Sequence, residues 1–214
     1  MTNDEFFAIL PQAIDDLRKL NEHAIEIAKA LLRKELFKTD LYFYPLLNKS
    51  IQLTDGFIEL IQNRNLTCAA ILLRATMDNC LRLFAMYIAN NPEEVVDCLL
   101  KGEKIDKLTD KNGNRLKDGY LKTKLGEYDD KFVIVYNNSS GYVHFSEKGI
   151  HQSVSVSPND TRFTIQVSHE VPERANIFIL ECVQAYAHFL ELFYEMFNNI
   201  IQAKSEYDKL HTKV

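Results

Sequence analysis

The sequence predicts a mainly α-helical protein: a bundle of five to seven helices in a single domain over residues 1–214, with one β-hairpin at about 151–168 inserted before a long C-terminal helix. Three observations carry that prediction. Glycine (7) and proline (5) are scarce for 214 residues, which disfavours turn-rich sandwiches and barrels. Apolar residues recur at intervals of three and four over most of the chain. One stretch alone, Val154 to Val167, alternates apolar and polar residues at the period of a strand.

Taken in order, Thr2 and Glu5 fit a capping box. Ile14, Leu17, Leu20, Ile27 and Leu31 then continue at helical spacing to about Phe37, with Pro11 expected to kink the helix or divide off a leading turn. Asp40 opens a second helix with Leu46, Leu47, Ile51, Phe57, Ile58 and Ile61 on one face, ended by Asn63-Arg64-Asn65. The third, roughly Leu66 to Asn90, is apolar almost all round, which places it at the centre of the fold or in an oligomer interface. Asn91-Pro92-Glu93-Glu94 starts a fourth, with a cap residue, proline at the first position and acids at the positive dipole end; Gly102 closes it.

Residues 101–126 read as a lysine-rich loop interrupted at Asp110–Asn114, then a short amphipathic helix using Leu116, Tyr120, Leu121 and Leu125. Asp130 to Phe145 is ambiguous. Phe132-Val-Ile-Val-Tyr136 has strand composition, yet Phe132, Tyr136, Ser140 and Val143/His144 share a helical face, and the helix is preferred. The hairpin pairs Val154 and Val156 with Phe163, Ile165 and Val167 around Ser157–Asp160. Its apolar face has to pack on the helices, because an isolated hairpin is marginal. The last helix runs from Pro172 to about Tyr207 with Leu180, Val183, Tyr186, Leu190, Phe193 and Phe197 along it, a second greasy central element.

A net charge of −5 gives no global field for nucleic acid or anionic lipid and leaves room only for a local basic patch. Met1–Glu5 opens without a basic n-region, and no uninterrupted apolar run reaches the roughly 18 residues of a membrane span. A cytoplasmic protein without a membrane role is expected. Cys68, Cys80, Cys98 and Cys182 form no Cys-x-x-Cys pair and read as buried free thiols. No phosphate-binding glycine loop, Rossmann fingerprint or Gly-x-Ser-x-Gly elbow is present, and no cofactor is expected. Aromatics interleaved with basic residues are not evident along the chain either.

The candidate chemistry centres on two segments. Arg74, Asp78 and Arg82 follow one another at four-residue spacing on the third helix, so they can form an Arg–Asp–Arg ladder on one face. Such a ladder is either structural, flanking the core, or a guanidinium held ready for an anionic group with Asp78 orienting it. His144 shares a helical face with Ser140 and Tyr136; it is either a hydrogen-bonded core histidine or a general acid/base. His151 and His169 flank the hairpin but point to opposite faces in its expected register, so no metal site is expected.

Leu72-Leu-Arg-Ala-Thr-Met-Asp78 and Ser140-Gly-Tyr-Val-His144 resemble two segments of a group of bacterial helical proteins, which are similar in turn to the HEPN superfamily of toxin–antitoxin and anti-phage systems. Many HEPN proteins are dimeric, metal-independent endoribonucleases with an arginine shortly before a histidine. Here Asn137, Asn138 and Ser139 stand where that arginine would, so the resemblance implies that Arg74 takes its place in space. It further implies RNA as partner, His144 as acid/base, Arg74 on the phosphorane charge, support from Asp78 and Ser140, binding by Arg82 and Tyr136, and a homodimer. The rival reading, from a different class, is a non-catalytic interaction or regulatory module with a protein partner, its polar residues serving as core glue.

Overall fold

The computed structural model describes residues 1–32, 36–143, 150, 154–156, 163–165, 167–168 and 170–211. Among the described residues there are seven α-helices: α1 (Asn3–Leu31), α2 (Asp40–Gln62), α3 (Leu66–Ile88), α4 (Pro92–Leu100), α5 (Asp118–Leu125), α6 (Asp130–Val143) and α7 (Asn176–His211). The protein is mainly helical, as its residue pattern predicts.

The Thr2 capping box forms: the Thr2 hydroxyl accepts from the Glu5 N–H at 3.2 Å, and the Glu5 carboxylate accepts from the Thr2 N–H at 2.8 Å. Pro11 does not divide α1. The carbonyl that proline leaves without an N–H partner is that of Phe7, on the exposed side, where water can satisfy it. α1 ends at Leu31, short of Phe37, with Leu32 already extended. Asp40, at the start of α2, is buried and ion-paired with Lys204 of α7, so the two helices are pinned together by charge. Arg64 reverses the chain after α2 in a left-handed conformation (φ 54°), and Asn65 then caps α3 by accepting from the Cys68 N–H.

Asn91 caps α4 through the Glu93 N–H, and Gly102 follows that helix at φ 70°. The Asp110 carboxylate holds the turn before α5, accepting from the Asn112 and Asn114 N–H groups at 2.9 and 2.8 Å and from the Tyr120 hydroxyl at 2.6 Å. Residues 130–143 are helical, not extended: the Asp129 carboxylate accepts from the Lys131 and Phe132 N–H groups, and Phe132 buries itself edge-on against Phe189. Gly126 lets α6 come close to α5, since a Cβ there would lie 2.5 Å from a Val133 methyl.

α3 packs against α2, α6 and α7, and α1 lies along α2 and α7, so α3 and α7 are the central pair. Phe57 stacks on Tyr186 at 3.8 Å between ring centroids, and Phe193 and Phe197 fill the seam beyond. By length and composition alone, the last helix could cross a membrane, with a mean hydropathy of 1.3 over its most apolar window. Half of that window is buried inside the fold, and Tyr186, Phe189, Phe193 and Phe197 are the side chains that need it.

Two expectations are corrected. β1 (Val154–Val156) and β2 (Phe163–Ile165) pair antiparallel with Val154 opposite Ile165, but Ile165, and Val167 after it, are exposed rather than packed on the helices. Strands of three residues offer too few side chains per face to make a layer. The turn at 157–162, His151 and His169 lie outside the described residues. Cys68 is exposed rather than buried, because it lies on the solvent side of the first turn of α3, while Leu66 and Ala69 take the core side; Cys80, Cys98 and Cys182 are buried, and all four thiols are free.

Candidate functional site

The four-residue spacing on α3 sets Arg74 directly below Asp78, and their side chains form an ion pair. α6 brings Tyr136 against them. The Arg74 guanidinium carbon lies 3.4 Å from the centroid of the Tyr136 ring, a cation–π stack, and the Tyr136 hydroxyl faces Asp78 Oδ1 at 3.4 Å. One guanidinium is thus held by a carboxylate and an aromatic face at once. Its side chain is 16% exposed and that of Asp78 is 36% exposed, so the unit stands at the edge of the core. Burial first, and then the Asp78 charge, push the Tyr136 phenol above its ordinary value, so it remains a neutral hydrogen-bond donor at physiological pH.

α5 adds a second cation. Lys122 Nζ lies 5.5 Å from the Tyr136 ring centroid and donates to Asn137 Oδ1 at 3.0 Å. Arg82 does not complete the ladder with Asp78; it crosses to Asp118 at the start of α5, at 2.5 Å. Ser140 donates to the Tyr136 carbonyl at 2.9 Å, and Ser139 donates to the same oxygen at 3.0 Å. Both hydroxyls are satisfied in this way within α6, which continues through Asn137–Gly141, a run of poor helix formers.

The structure therefore gathers Arg74, Asp78 and Tyr136, sets Ser140 one turn away, and sends Arg82 elsewhere. His144 lies outside the described residues, one position beyond the end of α6 at Val143. A larger cleft, of about 750 Å³, opens between the α2–α3 turn, α3, α6 and the start of α7, with Ala70, Leu73, Val135, Asn138, Ser139 and Cys182 in its walls. α6 thus turns Val135 and Asn138 to that cleft and Tyr136 and Asn137 to the cations. Among the described residues no cluster of histidine, cysteine or carboxylate side chains could hold a metal ion.

Contacts between distant segments escape sequence reasoning. Lys122 reaches Tyr136 from another helix, and His188 Nε2 lies 2.5 Å from Asp129 Oδ2, joining α7 to the cap of α6. His188 sits 59 residues from its partner, and no local spacing signals it. Compared with known proteins, the chain matches no protein-family model, no curated protein and no solved structure.

Proposed function

We propose that this chain is an RNA-directed, HEPN-like protein of a bacterial defence or toxin-type system, a cytoplasmic homodimer that cuts RNA without a metal ion. The observation supporting it is the Arg74 guanidinium, stacked on Tyr136 and anchored by Asp78, which fixes a permanent cation in one orientation beside Lys122. That is what a developing phosphorane charge needs, because a preorganised donor costs nothing to reorganise during the reaction. His144 takes the proton from a ribose 2′-hydroxyl as its oxygen attacks the adjacent phosphorus. The bond to the departing 5′-oxygen breaks, and that oxygen recovers the proton from His144. Asp78 and Tyr136 hold Arg74, and Ser140 steadies the last turn of α6. In the same reading β1 and β2 are the arms of a hairpin closed at Ser157–Asp160.

The low exposure of Arg74 favours a second reading. A guanidinium 16% exposed and already paired is also what a structural clamp looks like, as in a non-catalytic interaction or regulatory module with a protein partner. Cleavage of mixed RNA in excess chelator, beside His144→Ala, separates the two. Products that survive chelator and vanish in the variant support the nuclease. An inert wild type, with both proteins folded, leaves the module.

A further inference from the structure

The second region of interest is a smaller cleft of about 290 Å³ where the C-terminal end of α3 meets the Asp110 turn and α5, lined by Phe84, Tyr87, Tyr120, Tyr128, Lys111 and Lys124. Its aromatic content is out of proportion to its size. Phe84 is buried and forms the floor, and Tyr128 stands edge-on to it at 5.8 Å between ring centroids. Tyr87 and Tyr128 are 58% and 73% exposed, unusual for rings gathered in a concavity. Tyr120 is fixed by its hydroxyl bond to Asp110, itself held by the Asn112 and Asn114 N–H groups. The wall that Tyr120 forms is therefore held in place.

The rings select the ligand, and the lysines refine that choice. Lys111 and Lys124 share the cleft with two carboxylates, Asp110 and Glu127. Within the cleft, the Asp110 carboxylate is engaged by the turn, and Glu127 is paired with Lys124 at 2.9 Å on the surface, an exposed pair that exchanges readily. Lys111, on the exposed turn, pairs with no carboxylate among the described residues. Exposed rings with Lys111 unpaired at their rim suit a flat, π-faced group that carries negative charge beside it, an unpaired nucleotide. α5 also ties this cleft to Arg74: Tyr120 and Lys124 face the cleft, and Lys122, between them, faces Tyr136.

We infer that the α3–α5 cleft is a stacking site for an unpaired base of single-stranded RNA, with Tyr87 and Tyr128 on the base and Lys111 and Lys124 on flanking phosphates, so that the strand crosses α5 toward Arg74. The inference rests on the RNA-directed reading, and the test separates the two. The probe is a labelled, 2′-O-methylated single strand, which cannot be cut, titrated against the full chain by fluorescence anisotropy beside its duplex. The single strand is expected to bind more tightly than the duplex. Tyr128→Ala is expected to weaken it at least about five-fold, Tyr128→Phe to leave it unchanged, and Lys111→Gln to flatten the salt dependence by about 0.7 in log–log slope. Both tyrosines are exposed, so their removal spares the core, and circular dichroism checks that.

Equal binding by wild type and Tyr87→Ala/Tyr128→Ala, or no binding by wild type, overturns the cleft. Unmodified RNA then tells which reading has failed. Cleavage that persists despite ring-independent binding sinks the cleft alone, whereas ring-dependent binding without cleavage keeps the cleft and sinks the nuclease.

Discussion

Two tyrosines flank α3, and the helix treats them in opposite ways. Tyr186 of α7 is wholly buried, stacked face-to-face on Phe57, and its hydroxyl meets the Thr54 hydroxyl at 3.2 Å. Burial drives its phenol up to about 12. Tyr136 of α6 lies beside a guanidinium, a carboxylate and an ammonium group. On the Tyr186 side the polar atoms are neutral hydroxyls, because an unpaired charge in that seam would cost several kcal/mol, on the order of the whole margin of folding. On the Tyr136 side, α5 and α6 leave the helix partly open, and charges persist. One tyrosine binds the core together; the other orients a cation at its edge.

The contrast is open to direct attack. Tyr186→Ala carries the largest expected effect, a loss of about 3–5 kcal/mol in urea denaturation, from a ring removed at zero exposure. Tyr136→Ala removes a ring that is partly a platform for Arg74, and a loss of about 1–3 kcal/mol is expected. Equal losses at the two sites would remove the distinction between them. Tyr186→Phe is milder, about 1 kcal/mol, since Thr54 keeps its bond to the Ser50 carbonyl at 2.8 Å.

The smallest expected effect lies at Asp110, which is engaged by neutral donors and so differs from Asp78. The Tyr120 hydroxyl first, aided by Asn114 and Asn112, holds the Asp110 carboxyl down from 3.8 to about 2. A carboxyl depressed in the folded state stabilises fully above its unfolded value, and that stability is lost as pH falls through the folded one. Melting temperature should therefore drop between about pH 4 and 2, and Tyr120→Phe should shrink that part of the drop. An unchanged acid limb in Tyr120→Phe would remove the phenol as the cause.

Much of this architecture was legible in the residues, where the forces are local. The Thr2–Glu5 box, the Asn91-Pro92 start and the Arg74–Asp78 pair all act within one turn of helix, so spacing announces them. Residues 132–136 are strand-like in composition, and the Asp129 cap and the burial of Phe132 against Phe189 support the helix. The spacing of Phe132, Tyr136 and Ser140 already favours the helix, but the packing of Phe132 on Phe189 is beyond local pattern. The same limit hid the Arg82–Asp118 pair, 36 residues apart, and the approach of Lys122 to Tyr136. It also hid the α3–α5 cleft, whose tyrosines and lysines come from three separate segments. The exposure of Ile165 escaped for another reason: alternation signals the paired strands, not whether anything covers them.

The central claim is that Arg74 is held for an anion rather than merely holding α3 to α6. Arg74→Gln tests it most directly, with thermal melting and RNA cleavage in chelator read on the same preparation. The account predicts a folded variant, destabilised by about 1–2 kcal/mol, whose cleavage falls on the order of a hundred-fold. A folded variant that cuts RNA as fast as wild type would contradict it and leave Arg74 as a clamp.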